Sequence, residues 1–194
     1  MLASLTPLGE RGRRRRWGTT VAAYVAGSAL GGAATGLLAG TLGWLLLRHV
    51  SWDARTALLA ALLAAGLVLD VVRRVPGPRR QVDESWLDRY RGWVYGAGFG
   101  FQLGAGVVTI VSSSAVYVVL GAGIASASPA VGAALGALAG LLRGATLLAA
   151  ARVRTPDQLV SLHVRMRAWR EPARLAGLAA QGSLLIFAAG ALAQ

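Results

Sequence analysis

Long uncharged apolar stretches alternate along this chain with short segments rich in arginine, and the apolar stretches are of bilayer-crossing length. No side chain between positions 92 and 142 carries a formal charge. A transmembrane helix needs about 20 predominantly apolar residues. On that criterion the pattern predicts five membrane helices, at 18–47, 55–74, 93–122, 129–151 and 174–193. Pro76-Gly77-Pro78 punctuates the end of the second. Ser126, Ser128 and Pro129 separate the third from the fourth, with Pro129 suited to a first helical turn. The fold class is therefore all-α: a polytopic helical membrane protein with a basic N-terminal segment at 1–17 and one transmembrane domain at 18–193.

Two of these helices are longer than a bilayer requires. Thirty residues at about 1.5 Å each span about 45 Å, against a hydrocarbon core of about 30 Å. Helices one and three must tilt, extend beyond the membrane or break. Breaks at matching places in repeated helices mark substrate sites in transporters. The layout does repeat. An Arg/Trp prelude at 13–17 precedes a long helix, a short loop and a second helix ending at Arg74-Val75. Another prelude at 89–93 precedes the same arrangement, ending at Arg152-Val153. The segment 155–170 differs. Thr155, Pro156 and Gln158 form a helix start with a capping box, and Leu159, Leu162, Met166 and Trp169 recur at helical spacing, so an amphipathic helix in the membrane interface is expected. Residues 82–91, with Trp86, Leu87 and Tyr90, read similarly.

Composition sharpens this picture. Charged residues make up 14% of the chain and hydrophobic ones 55%, whereas soluble domains are about 25% charged. All twenty basic residues are Arg, and the net charge is +12. Such a balance can signal nucleic acid, but these arginines flank apolar runs, so anionic lipid headgroups are the expected acidic partner. Seventeen of them fall in 1–17, 73–92 and 152–174, and only Arg48 and Arg55 in the alternate loops. The positive-inside bias places the N-terminus in the cytoplasm and the C-terminus outside. Arg13 to Arg16 could begin a signal peptide, but the uncharged run that follows exceeds the apolar core of about 7–15 residues such peptides have. A retained helix in a bacterial inner membrane is expected, in keeping with a Lys-free, Ala/Gly/Arg-heavy sequence.

Candidate chemistry is sparse. The chain has no Cys and only two His, His49 and His163, so no cofactor or metal centre is expected. Glycine recurs every four residues: Gly32, Gly36 and Gly40; Gly96, Gly100 and Gly104; Gly132, Gly136, Gly140 and Gly144. That interval keeps small residues on one helix face and lets backbones approach, within the chain or against another subunit in a homo-oligomer. Arg143 is the only cation well inside a predicted span. It could snorkel to the inner headgroups, pair with Asp70, or hold an anionic substrate or lipid phosphate. Helix three carries Gln102, Thr109, Ser112, Ser113, Ser114 and Tyr117. Arg143, Gln102, Ser113 and Tyr117 are the candidate substrate contacts. No pair of groups suits acid–base catalysis, so an enzyme is not expected.

The stretch Gly96-Ala-Gly-Phe-Gly-Phe-Gln-Leu-Gly104, continuing to Gly121, resembles a helix of the membrane thiol–disulfide interchange and cytochrome c biogenesis transporters. Those have a Gly/Phe-rich helix leading to a Pro-Cys pair, in two related halves and usually six helices. Here Val107, Val108 and Thr109 stand where that pair would fall, so the resemblance implies a related fold without the electron relay and lends no functional residue. Two functions are expected from the whole: a small transporter-like protein binding or passing a solute near Gly104–Tyr117 and Arg143, or a non-catalytic structural or assembly subunit of a larger membrane complex.

Overall fold

The computed structural model describes residues 5–12, 16–76, 86–106 and 113–193. Arg13 to Arg15, Arg79, Arg80, Thr109 and Ser112 lie outside them, as do Val107 and Val108. Every regular element among the described residues is helical: α1 (Pro7–Gly12), α2 (Trp17–Leu47), α3 (Trp52–Val71), α4 (Trp86–Arg89), α5 (Gly92–Gly104), α6 (Ala115–Ala125), α7 (Pro129–Ala145), α8 (Pro156–Ala168) and α9 (Arg170–Leu192), with a 3-10 stretch at Thr146–Ala150 prolonging α7. Four are long and apolar enough to cross a membrane: α2, α3, α7 with its extension, and α9.

Local chemistry sets several boundaries. The hydroxyls of Ser51, Ser128 and Thr155 accept from the N–H of Ala54, Val131 and Gln158 and so cap α3, α7 and α8. Pro129 and Pro156 fill the first turns of α7 and α8, where their missing N–H costs nothing. Gln158 reaches back one residue further than a capping box requires, accepting from the N–H of Arg154 at 2.7 Å. None of the residues of α8 is buried.

The third predicted helix is the main correction. Residues 93–122 are not one span. Helix α5 stops at Gly104, Gly106 takes φ +72°, and α6 resumes at Ala115. A positive φ cannot continue a right-handed helix, and glycine adopts it without steric cost. Helix one, of equal predicted length, is unbroken over 31 residues.

Helix α2 is the axis of the bundle. One side runs parallel to α5: a Cβ on Gly96, Gly100 or Gly104 would meet the carbonyls of Thr20, Tyr24 and Ser28 at 2.5, 2.0 and 1.9 Å. Another side runs antiparallel to α7. Gly36 faces Gly132, Gly32 faces Gly136, Gly40 faces Ser128, Gly140 faces Ser28, and Gly144 packs on Val25 and Ser28. Ser28, fully buried, donates its hydroxyl to the Gly140 carbonyl at 2.7 Å. Backbone is pressed on backbone, which gives dispersion contact and Cα–H···O approach where lipid offers little hydrophobic drive. These glycine faces are therefore occupied within the chain.

A second layer is looser. Helix α6 leans on α2, α3 and α7, and α9 packs on α3. The short N-terminal helix folds inward: Leu5, Thr6 and Glu10 are buried, Trp17 donates its indole N–H to the Leu5 carbonyl at 2.9 Å, and the Leu8 N–H meets the Val153 carbonyl. Glu10 accepts from Thr20 at 2.9 Å and from the Tyr95 hydroxyl. Trp86, expected at the membrane interface, turns onto α5, stacked on Phe99 at 5.8 Å.

The glycine contacts predict a sharp contrast. Gly36→Ala and Gly136→Ala drive a methyl to about 2 Å from a carbonyl oxygen, and each is expected to cost about 3 kcal/mol. Gly182→Ala on α9, with nothing within 4 Å, should instead add up to about 1 kcal/mol from helix propensity. Denaturation of the purified variants in detergent, followed by circular dichroism, checks both; equal stabilities would refute the packing.

Candidate functional site

The break between α5 and α6 creates two helix ends within the bundle, each with exposed polar backbone groups. The last carbonyls of α5 and the first N–H groups of α6 have no partner in their own helices. Local bonds supply some of them, the Gly106 N–H donating to the Leu103 carbonyl at 3.2 Å and the Ala115 N–H to Ser113 Oγ at 3.3 Å, and charged side chains add to these. Arg143, on α7, donates Nη1–H to the Leu103 carbonyl at 3.0 Å, placing a cation at the C-terminus of α5. Asp70, on the last turn of α3, accepts from the backbone N–H of Ser114 at 2.8 Å, placing an anion at the N-terminus of α6. Each charge has the sign that complements the local helix dipole.

Asp70 is held further. It accepts from Ser114 Oγ at 2.8 Å, from Ser113 Oγ at 3.1 Å and from Gln181 Nε2 at 2.9 Å. Gly66 makes room for this cluster, since a Cβ there would fall 2.8 Å from Ser114 Oγ. Gln181, nearly buried, brings α9 into it. Arg174 does the same at the end of α3, donating to the carbonyls of Asp70 and Val71 at 3.3 Å. At the other end of α6, Arg55 donates to the Ser126 carbonyl at 3.3 Å. The nearby Arg73–Glu171 bridge is exposed and adds little, below about 1 kcal/mol. No Arg143–Asp70 pair forms among the described residues; the two charges serve opposite ends of the break.

Beside the break lies a cavity of about 650 Å³. Gly104, Ala105, Gly106, Ser113 and Val116 border it along the interrupted helix, and Arg143 and Thr146 along α7. Tyr24 of α2 borders it within electrostatic range of Arg143. Leu5 of the inward-folded N-terminal segment and Leu147 also line it. Of the four expected substrate contacts, Arg143 and Ser113 meet in this wall. Gln102 and Tyr117 are not among its lining residues. Gln102 is half-buried on α5, and the Tyr117 hydroxyl donates to the Pro76 carbonyl. Sequence reasoning passed over Tyr24, Thr35, Thr146, Gln181 and the Leu5–Glu10 segment. Gln181, whose polar side chain shares the apolar part of α9 with Ser183 alone, was the one legible signal among them.

Among known proteins the chain is similar to methylamine utilization protein MauF of Methylophilus methylotrophus, 31% identical over 139 residues. That alignment covers 69% of this chain and 49% of the relative, so the chain spans about half the length of the protein it matches. No family model matches, and no solved structure does. The chain is a multi-pass helical membrane protein with a bacterial relative.

The Asp70 cluster yields a prediction. Asp70→Ala removes the acceptor of the Ser114 N–H and should cost about 3 kcal/mol, more than Gln181→Ala. Because the two residues are bonded, the double variant should fall short of the summed losses by at least about 0.5 kcal/mol. Hydrogen exchange should quicken at amides 114–118 in Asp70→Ala while those of α2 keep their protection. Strict additivity would show that the cluster does not act as a unit.

Proposed function

We propose that the chain is a small transporter-like membrane protein that binds or passes a solute at the cavity beside the α5–α6 break. One observation carries this reading: an interrupted helix, its ends held by Arg143 and Asp70, borders a cavity large enough for a small molecule. Within a bilayer, non-helical backbone is tolerated where protein or a water-filled cavity satisfies it, and in transporters such breaks form the solute site. The internal use of the glycine faces also favours it, because those faces are not available to foreign helices. In this reading the protein lies in a bacterial inner membrane with its N-terminus inside and C-terminus outside. Helices α2–α3 and α5–α7 are related as tandem copies, and α8 rests in the cytoplasmic interface. No catalysis is part of it.

A second reading makes the chain a non-catalytic structural or assembly subunit of a larger membrane complex; the relative's name would set such a complex in methylamine utilization. Methylammonium itself is a poor match to the cavity, because Arg143 is the charged group among its described lining residues and repels a cation.

The absence of cysteine permits a direct test. Single-cysteine variants Ser113→Cys and Ala139→Cys should react with a water-soluble maleimide in intact membranes, and bulky modification should block solute passage. In the same experiment His49→Cys should label from outside and His163→Cys only after permeabilisation. A cavity that excludes the reagent at both positions, together with stoichiometric foreign subunits after mild purification, would replace the transporter reading with the subunit one.

A further inference from the structure

The chemistry of the cavity wall narrows its ligand. We infer that it is a site for a small organic monoanion, a carboxylate with a short apolar body, anchored by Arg143; this rests on the transporter-like reading above. Arg143 carries the one formal charge among the described lining residues. Neither Asp70 nor Glu10 lines the cavity: Asp70 is turned to Ser113, Ser114 and Gln181, and Glu10 to Thr20 and Tyr95. An anion entering therefore meets an attractive charge in a low-dielectric surround, and an ammonium meets a repulsive one.

The hydrogen-bond inventory limits the anion to one charge. A guanidinium has five N–H donors in a planar fork suited to carboxylate, and the Leu103 carbonyl takes one of them. Of the four hydroxyls on the wall, Tyr24 beside Arg143 is a neutral donor that brings no charge, and the other three are engaged. Thr35 donates to the carbonyls of Gly31 and Ala105, Thr146 to that of Arg143, and Ser113 to Asp70. A dianion such as a phosphate monoester or a dicarboxylate would bring a second charge with no second cation among these residues to meet it. The remaining wall is aliphatic, including Val116, Val119, Leu120, Leu142 and Leu147. At about 650 Å³ the space far exceeds a halide and accommodates a body of several carbons.

Radiolabelled hexanoate is the probe, measured by equilibrium dialysis against the purified, delipidated full chain. Saturable binding is expected, with hexylammonium and adipate at least tenfold weaker competitors than unlabelled hexanoate. Arg143→Gln should weaken binding at least tenfold. Arg143→Lys, which keeps the charge and can still donate to Leu103, should weaken it less. Because Arg143 also caps α5, Val116→Trp provides an independent arm: it fills the cavity without touching Arg143 and should abolish binding while circular dichroism stays unchanged. Equal competition by hexylammonium, or full binding by a folded Val116→Trp, overturns the assignment. So does an anionic lipid that stays bound to wild type at one per chain, is lost from Arg143→Gln and blocks hexanoate, because the site would then be a headgroup site. Counterflow in proteoliposomes separates this proposal from the one beneath it. Binding without flux supports the site and removes the transport reading. Flux of a neutral or cationic solute by a chain that does not bind hexanoate overturns the monoanion site and leaves transport standing.

Discussion

Backbone contact along α2 is the constraint on which the rest of the structure depends. In lipid, apolar side chains gain little by leaving one apolar surround for another, so helix association relies on close packing and polar bonds. Here α2 presents glycine, serine and alanine on two sides, and α5 and α7 answer with glycine at the same interval. Each four-residue step brings a carbonyl of one helix against the Cα of the next. The arrangement holds only if the glycine at each contact lacks a Cβ, and it sets the register of α5 and α7 on α2 to a single residue.

That register makes a break in helix three tolerable. With α5 held against α2 up to Gly104, which packs on Ser28, the chain leaves the helix at Gly106. The two ends so created then sit where α7 offers a cation and α3 an anion. The same device recurs at the helix ends nearby, where Arg174 closes α3 and Arg55 closes α6. Arginine suits it because a planar, permanently charged fork reaches carbonyls from a neighbouring helix. Several residues that look like topological markers in the sequence are thus structural bonds in the fold. The loosely packed α9 is joined to the rest by Arg174, Gln181 and the exposed Glu171–Arg73 bridge, and its outer apolar face, with Ile186 and Phe187, is exposed.

The cavity follows from this geometry. Gly32, Gly36, Gly136 and Gly140 of the α2–α7 seam form one wall, and Gly104, Ala105 and Gly106 at the end of α5 form another. Arg143 is drawn to the break by the Leu103 carbonyl and borders the space as a result. A group whose first role is to complete a helix end is thereby placed where a ligand can meet it.

Composition and periodicity alone determined the class of this protein. Several runs of about twenty uncharged apolar residues match what bilayer-crossing helices require, and Gly/Pro/Ser punctuation marked the helix ends to within a few residues. The four-residue glycine interval is a local property and was equally legible. Whether those faces met one another or a foreign helix was not, because a small face carries no label for its partner. The break in helix three was one of three outcomes its length allowed; Gly106 decided it through a backbone torsion that the letters do not encode. The partners of Arg143 and Asp70 were settled by the tertiary structure alone. An intramembrane charge must find an opposing group, but the end of a helix, which exists only after the fold forms, served better than the opposite charge. For the same reason Gln102 and Tyr117, plausible by composition, are not among the cavity's lining residues, while Tyr24 and Leu5 are: neighbours in space here come from four helices, α2, α5, α6 and α7, and an N-terminal segment that the linear pattern keeps apart.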